Sequence, residues 1–500
     1  MKVQIVMDRK DHSWVSRIGL RASCFCLLAT LSSGAIQAQT LAVNARTPVR
    51  ILSGTAFGVN LFYWGDNHGS LSYFKEAGFK SVRYPGGANS DVFDWTTTNA
   101  TQPWPTFVAD MASAGVLGKN IILTCNYGKS GTPAMAAAWV RDANVSRNMG
   151  IRYWELGNEE WDNTDPVKYA HDYVRWSAAM KAVDPGIKLG AVVTNVWGKY
   201  AKEAVTNPRT HRQEIGWTPV LLSTLHTLGV TPDFLVEHQY QYGPGTEDDA
   251  KLLTGLDTNG WTMAHIADGQ IRAMLKDYLP NSARVQLLQT EVGSVWSNPG
   301  KQNVNLPGGL AMAVIVGDSL KTEYQATDWW LWQDNYVNTG PKQFNMNSSL
   351  YGWRLYGHYG LARFDPKLGG LDRHPVFYIA KMLNKFLSDG DKVYECTSTD
   401  PLLKIYAVRH AGGTLSVLVV NTAPSTDYAD VPITLAGYKA QGVATVWTYG
   451  KANDDAARDG RPGQDLTRST QPVSGSTITR SFPQYSAMLM TFGREATAIP

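Results

Sequence analysis

Three glutamates crowd the stretch Tyr153-Trp154-Glu155-Leu156-Gly157-Asn158-Glu159-Glu160-Trp161. An apolar, strand-like run, Tyr153 to Leu156, leads into a Gly-Asn turn and then into paired acids. A further glutamate, Glu291, closes another apolar run, Val285 to Thr290, and lies 132 residues after Glu159. Two carboxyl groups facing across a pocket can divide acid–base work. One is protonated and donates to a leaving oxygen; the other is ionised and attacks carbon. Glycosidic bonds are cleaved in this way, and a separation of about 5–5.5 Å between the carboxyls gives retention of anomeric configuration. A blander reading is available for each residue. Glu159 and Glu160 could be solvated acids at a helix start. Glu291 alone could be a capping or salt-bridged glutamate.

The surrounding elements decide between these readings. Eight short apolar runs end in polar or Gly-rich residues: Ala56 to Phe62, Ser81 to Tyr84, Asn120 to Thr124, Tyr153 to Leu156, Lys188 to Thr194, Phe234 to Tyr240, Val285 to Thr290 and Ala326 to Trp332. Segments with helical spacing lie between them: Leu71 to Ala77, Thr132 to Asn144, Asp165 to Val183 and Ala264 to Leu279. The third opens on Asp-Pro and stops before Asp184-Pro185-Gly186, which are start and stop signals. Buried strands alternating with helices predict an α/β fold, a (β/α)₈ TIM barrel over residues 56–388. Such barrels do chemistry at the C-terminal ends of their strands. There Glu159 and Glu291 fall on strands four and seven, across the mouth from each other. Glu155 then reads as a strand residue facing the interior or a neighbour, and Glu160 as the start of the next loop.

The pattern changes near residue 390. Leu402 to Val408, Thr414 to Val420, Val431 to Leu435, Ala444 to Thr448, Thr477 to Ser481 and Ala487 to Phe492 read as strands with no helix between them. They predict an antiparallel β-sandwich domain over residues 389–496, joined by a strand from residues 39–55.

Composition narrows the partners. The net charge of +3 comes without a long basic run, which argues against nucleic acid. Seventeen Trp and 23 Tyr suit either core filling or stacking on sugar rings. Lys2, Arg9, Lys10, Arg17 and Arg21 precede an apolar stretch, Ala22 to Leu31, and small residues up to Ala38. This predicts a signal peptide over residues 1–38 and a secreted or periplasmic protein with no membrane anchor after cleavage. Cys125 and Cys396 then remain, and two buried free thiols are expected. No HExxH or paired CxxC is present, so neither a metal nor another cofactor is implied.

The motifs resemble those of clan A glycoside hydrolases, and within the clan those of family fifty-one α-L-arabinofuranosidases. Val82-Arg83-Tyr84-Pro85-Gly86-Gly87, with Asn89 and Asp94-Trp95, is similar to that family's second-strand motif. Leu156-Gly157-Asn158-Glu159 is similar to its acid/base motif, and Ala179-Met180-Lys181-Ala182-Val183-Asp184-Pro185 to its following helix. The resemblance covers roughly residues 50–490. It implies Glu159 as acid/base and Glu291 as nucleophile. It further implies Asn158 on the sugar 2-hydroxyl, Arg83 supporting the nucleophile, and His238 and Tyr240 beside it. Gln333, Asn89 and Asn126 would be sugar contacts, and a strand-end tryptophan, taken as Trp332 among Trp329, Trp330 and Trp332, would floor the pocket. Two sites differ from the family. No glutamate follows strand one, and Glu291 is followed by Val292-Gly293-Ser294 instead of Trp-Asn.

The expected function is therefore a retaining glycoside hydrolase acting on polysaccharide or oligosaccharide, foremost an α-L-arabinofuranosidase. An endo-β-glucanase or xylanase of the same clan is the runner-up. A non-catalytic carbohydrate-binding protein and an open-sheet binding or transfer protein are the rivals from other classes.

Overall fold

The computed structural model describes residues 39–128, 130–194, 204–257, 259–334, 336–339, 345–365, 370–458 and 463–493. The expected signal peptide lies outside them.

Eight parallel strands close into a barrel: Gly58–Asn60, Val82–Tyr84, Ile121–Cys125, Tyr153–Leu156, Lys188–Val192, Phe234–Tyr242, Gln286–Val295 and Tyr324–Trp329. Each coincides with one of the eight apolar runs. The third and fourth strands are buried along their whole length, as strands covered on both faces must be. Two strands overrun their expected ends. The sixth reaches Tyr242 and the seventh continues past Glu291 to Val295, pairing Val292 with Gln239 and Gly293 with Tyr240. The ladder slips between Gln289 and Glu291. Such a bulge re-aims a side chain without ending the strand, so Glu291 enters the site from mid-strand.

Helices cover the barrel where the spacing placed them. Pro166–Lys181 starts on Asp165, whose Oδ1 accepts the amides of Val167 and Lys168 at 2.9 and 3.0 Å. Leu306–Ser319 was not evident from periodicity. Every residue in it except Asp318 is buried, so it shows no polar face. It packs against the amphipathic helix Pro375–Phe386 and against strands of the second domain.

That domain is one nine-stranded sheet that encloses its own core, with Val43, Leu403, Val417, Ile433, Val446, Ile478 and Met490 among the buried residues. The sheet is antiparallel at every pairing except one. Leu41–Ile51 runs antiparallel to Lys392–Ser398 and parallel to Tyr428–Ala436. One short helix, Lys451–Asp455, interrupts the strands; five residues are too few to show a helical period. Cys125 and Cys396 are free and buried. Among the described residues no helix is long and apolar enough to cross a membrane.

Candidate active site

Arg83, on the second strand, is fully buried at the centre of the barrel. Its Nε donates to Glu155 Oε2 at 2.7 Å and its Nη2 to Asn158 Oδ1 at 2.9 Å. Its Nη1 donates to Glu291 Oε1 at 2.7 Å and to Asn60 Oδ1 at 3.1 Å. One guanidinium thus joins the first, second, fourth and seventh strands. Burial alone would push Arg83 toward losing its proton, but the Glu155 and Glu291 carboxylates outweigh it and hold the cation. Glu155 faces the interior, where its Oε2 also accepts Thr124 Oγ1 at 2.9 Å.

Glu291 Oε2 accepts the Tyr240 hydroxyl at 2.8 Å. Burial keeps that hydroxyl a phenol, raising its pKa well above the ordinary tyrosine value. His238 pairs with Glu291 in the strand register. Its Nδ1 lies 2.9 Å from Glu159 Oε1 and 3.7 Å from Glu291 Oε2. One oxygen of Glu159, one nitrogen of His238 and one oxygen of Glu291 all lie within 4.8 Å of one another. The Glu291 side chain is 5% exposed and that of Glu159 is 37% exposed, so Glu159 stands toward the opening. Burial raises the pKa of Glu159, but the hydrogen bond and charge of His238 and the charge of Arg83 together bring it below the ordinary glutamate value.

The turn carrying Glu159 is held on several sides. Glu159 has φ 49°, a left-handed conformation that costs a non-glycine residue about 1–3 kcal/mol unless its surroundings fix it. The Asn158 amide donates to Asp91 Oδ1 at 3.2 Å, and Tyr169, on the following helix, donates its hydroxyl to the Leu156 carbonyl at 2.7 Å.

A cavity of about 590 Å³ opens over these groups. Asn158, Glu159, His238, Tyr240 and Glu291 line it with Trp161, Trp296, Trp330 and Tyr359. Trp330 lies against Gly87. A Cβ on Gly87 would sit 2.4 Å from Trp330 Cη2, and its φ of 73° also favours glycine.

Six of the sequence candidates therefore meet: Arg83, Asn158, Glu159, His238, Tyr240 and Glu291. The other four neither join this network nor line the cavity. Trp332 is core: its Nε1 donates to Ser70 Oγ at 2.9 Å and its ring packs with Phe74, Phe79 and Phe377. The eighth strand ends at Trp329, and the chain turns so that Trp330 meets the cavity instead. Asn126 donates to the Phe93 carbonyl and Ser130 Oγ and so ties its own loop. Asn89 is exposed, while its neighbours Gly87 and Ala88 line the cavity. Gln333 is buried in a bridge to Ala362. Sequence reasoning did not single out Asn60, Asp91, Trp161, Trp296 or Tyr359. Asn60 carried a signal, since it is the polar residue that ends the first strand. The others sit in loops or in short 3-10 turns, where no period marks them.

Glu159, His238 and Glu291 offer donor atoms that a cation could use. Arg83 already engages Glu291, and His238 Nδ1 engages Glu159.

No family model matches the chain. It is 30% identical over 169 residues to a probable α-L-arabinofuranosidase C of Aspergillus clavatus, covering 26% of this chain and 33% of that protein. The match spans about a third of that relative's length. The fold is similar to that of α-L-arabinofuranosidase from Thermotoga maritima, solved as its arabinose complex, with a TM-score of 0.65 and 15% identity over 91% of this chain and 99% of that one. The fold is also similar to that of a family fifty-one α-L-arabinofuranosidase from Thermotoga petrophila, with a TM-score of 0.66 and 16% identity over 91% of this chain and 100% of that one. CelM2, a bifunctional glucanase-xylanase from a metagenome library, shares the fold with a TM-score of 0.63 and 15% identity over 92% of this chain and 99% of that one. The structural likenesses establish the architecture: a TIM barrel followed by a β-domain.

Proposed function

We propose that this protein is a retaining glycoside hydrolase, an α-L-arabinofuranosidase, with Glu291 as nucleophile and Glu159 as acid/base. The observation that carries the reading is the approach of the two carboxylates: an oxygen of each lies within 4.8 Å at the barrel mouth. That is closer than the roughly 6.5–9.5 Å spacing that an intervening water needs, which supports retention.

In this mechanism Glu291 attacks the anomeric carbon while Glu159 gives its proton to the departing oxygen. Glu159 then takes a proton from the water that releases the sugar from Glu291. Arg83 and Tyr240 bind one Glu291 oxygen each, which aims the nucleophile. The empty pocket favours ionised Glu159 through His238. A sugar seated in the cavity excludes water and adds to the burial that raises Glu159, which returns the proton to the acid. Asn158, fixed by Arg83, is placed to hold the sugar hydroxyl next to the anomeric carbon. The basic and apolar leader supports action outside the cytoplasm, on plant-type polysaccharide or its oligosaccharides.

A second reading, an endo-β-glucanase or xylanase, rests on the missing glutamate after the first strand and on the tryptophan and tyrosine rings around the cavity. Aryl arabinofuranoside, xyloside and glucoside, tested beside polymeric glucan and xylan, separate the two. Turnover confined to the arabinofuranoside supports the first, and turnover confined to polymers replaces it with the second. NMR of the first-formed anomer tests retention, and inversion would remove the nucleophile from Glu291. Low turnover unchanged in Glu291→Ala would leave a non-catalytic carbohydrate-binding protein.

A further inference from the structure

A second cleft adjoins the cavity over Glu159, and the mechanism leaves it unused. Its volume is about 580 Å³, within the range of ligand pockets. Two features join it to the cavity. Thr194, two residues past the fifth strand, lines both. The Thr194 amide donates to Thr218 Oγ1 at 3.1 Å, and that hydroxyl donates to the Thr194 carbonyl at 2.8 Å, so this backbone is fixed. Asp257 and Asn259 line the cavity, and Trp261, two residues on, lines the cleft. Asp257 Oδ1 ties them together by accepting the amides of Asn259 and Trp261 at 2.9 and 2.8 Å.

We propose that this cleft binds the leaving-group side of an oligosaccharide or polysaccharide whose scissile bond lies over Glu159, with Trp261 and Gln270 as its contacts. This rests on the reading of Glu159 as acid/base.

The position fits a leaving group. In the barrel the fifth strand stands between the fourth, which leads to Glu159, and the sixth, which carries His238; Glu291 lies beyond, on the seventh. The acid protonates the departing oxygen, so the departing chain extends on the acid's side. The lining fits a sugar chain. Gly269, Ala273 and Asp277, with Gln270 and Met274, recur every four residues and form one helical wall. Trp261 is half-buried and packs with His265, their ring centroids 5.4 Å apart. Its open part can receive the C–H face of a sugar, and Pro219 and Met274 add apolar surface. Gln270 Oε1 is buried yet accepts no hydrogen bond among the described residues. A sugar hydroxyl in the cleft would satisfy it. The acids of the cleft are already engaged. Asp277 binds Arg209 and Asn207, and Glu214 binds Asn207 and the Tyr278 hydroxyl. A neutral, hydroxyl-rich chain therefore suits the cleft better than a cation.

The test compares wild type with Trp261→Ala and Gln270→Ala on p-nitrophenyl α-L-arabinofuranoside and on arabinohexaose, xylohexaose and cellohexaose. The aryl glycoside carries no sugar chain past the scissile bond, so its kcat and KM should be unchanged in both variants. For the hexaose that wild type cleaves best, KM should rise about tenfold in each variant while kcat holds. Gln270→Ala removes an atom that no described residue binds, so its folding should be unaffected even where Trp261→Ala loosens the cleft. An unchanged hexaose KM in either variant overturns the proposal. So do equal losses on the aryl glycoside and the hexaose, or a wild type that cleaves the aryl glycoside and no hexaose. If no glycoside is cleaved, or if Glu159→Gln and Glu291→Gln leave turnover intact, the glycosidase reading falls. Calorimetric binding of the hexaoses then still decides the cleft: weaker binding in both variants supports it, and equal or absent binding overturns it.

Discussion

Arg83 Nη1 donates to Glu291 at 2.7 Å and to Asn60 at 3.1 Å, so the nucleophile candidate and the end of the first strand share one nitrogen. The remaining guanidinium nitrogens hold Glu155 and Asn158. A lysine ammonium cannot reproduce this planar fork. Arg83→Lys should lower kcat/KM by about 10²–10³-fold, comparable to removing one preorganised donor from a buried site. Arg83→Ala leaves two buried carboxylates unpaired and should destabilise the protein by about 3–5 kcal/mol, read by urea unfolding.

The two glutamates should fail differently. Glu291→Gln should abolish turnover of every substrate, since the proposed mechanism gives it the covalent intermediate. Glu159→Gln should spare release of a leaving group that departs without a proton. Steady-state rates on dinitrophenyl and alkyl glycosides check this. Equal losses on both would assign Glu159 a role other than acid.

His238 and the charge of Arg83 lower the pKa of Glu159, the proposed acid, against the burial that raises it. A low pKa for the acid places the alkaline limb of kcat/KM at low pH, because the protonated form is the active one. His238→Phe removes the hydrogen bond that lowers Glu159 and leaves burial, which raises it. The limb should therefore move to higher pH, with reduced kcat. A limb that stays in place in this variant would show that His238 does not control the acid.

Gly87 allows Trp330 to approach the backbone. Gly87→Ala would put a methyl group 2.4 Å from the indole and force a left-handed residue to carry a Cβ. The expected result is a destabilisation of about 1–3 kcal/mol and a raised KM as Trp330 swings from the cavity. Trp330→Ala should raise KM without the loss of thermal stability.

By itself the sequence determined the eight strands, the barrel and the placing of Glu159 and Glu291 at strand ends; Arg83, Asn158, His238 and Tyr240 came from the resemblance. Strands buried on both faces must be written in continuous apolar runs, and polar residues at their ends stand out against them. Glu159 was legible because it follows Asn158 at such an end. The tertiary structure alone decided the rest. The slip between Gln289 and Glu291 turns Glu291 inward from a strand that continues. The turn after Trp329 sends Trp332 to the core and Trp330 to the cavity. Glu155 became the partner of Arg83 because barrel closure turns both side chains into one interior across the third strand. Local periodicity records whether a residue is buried. Its partner is set by barrel closure, which no short window of sequence contains.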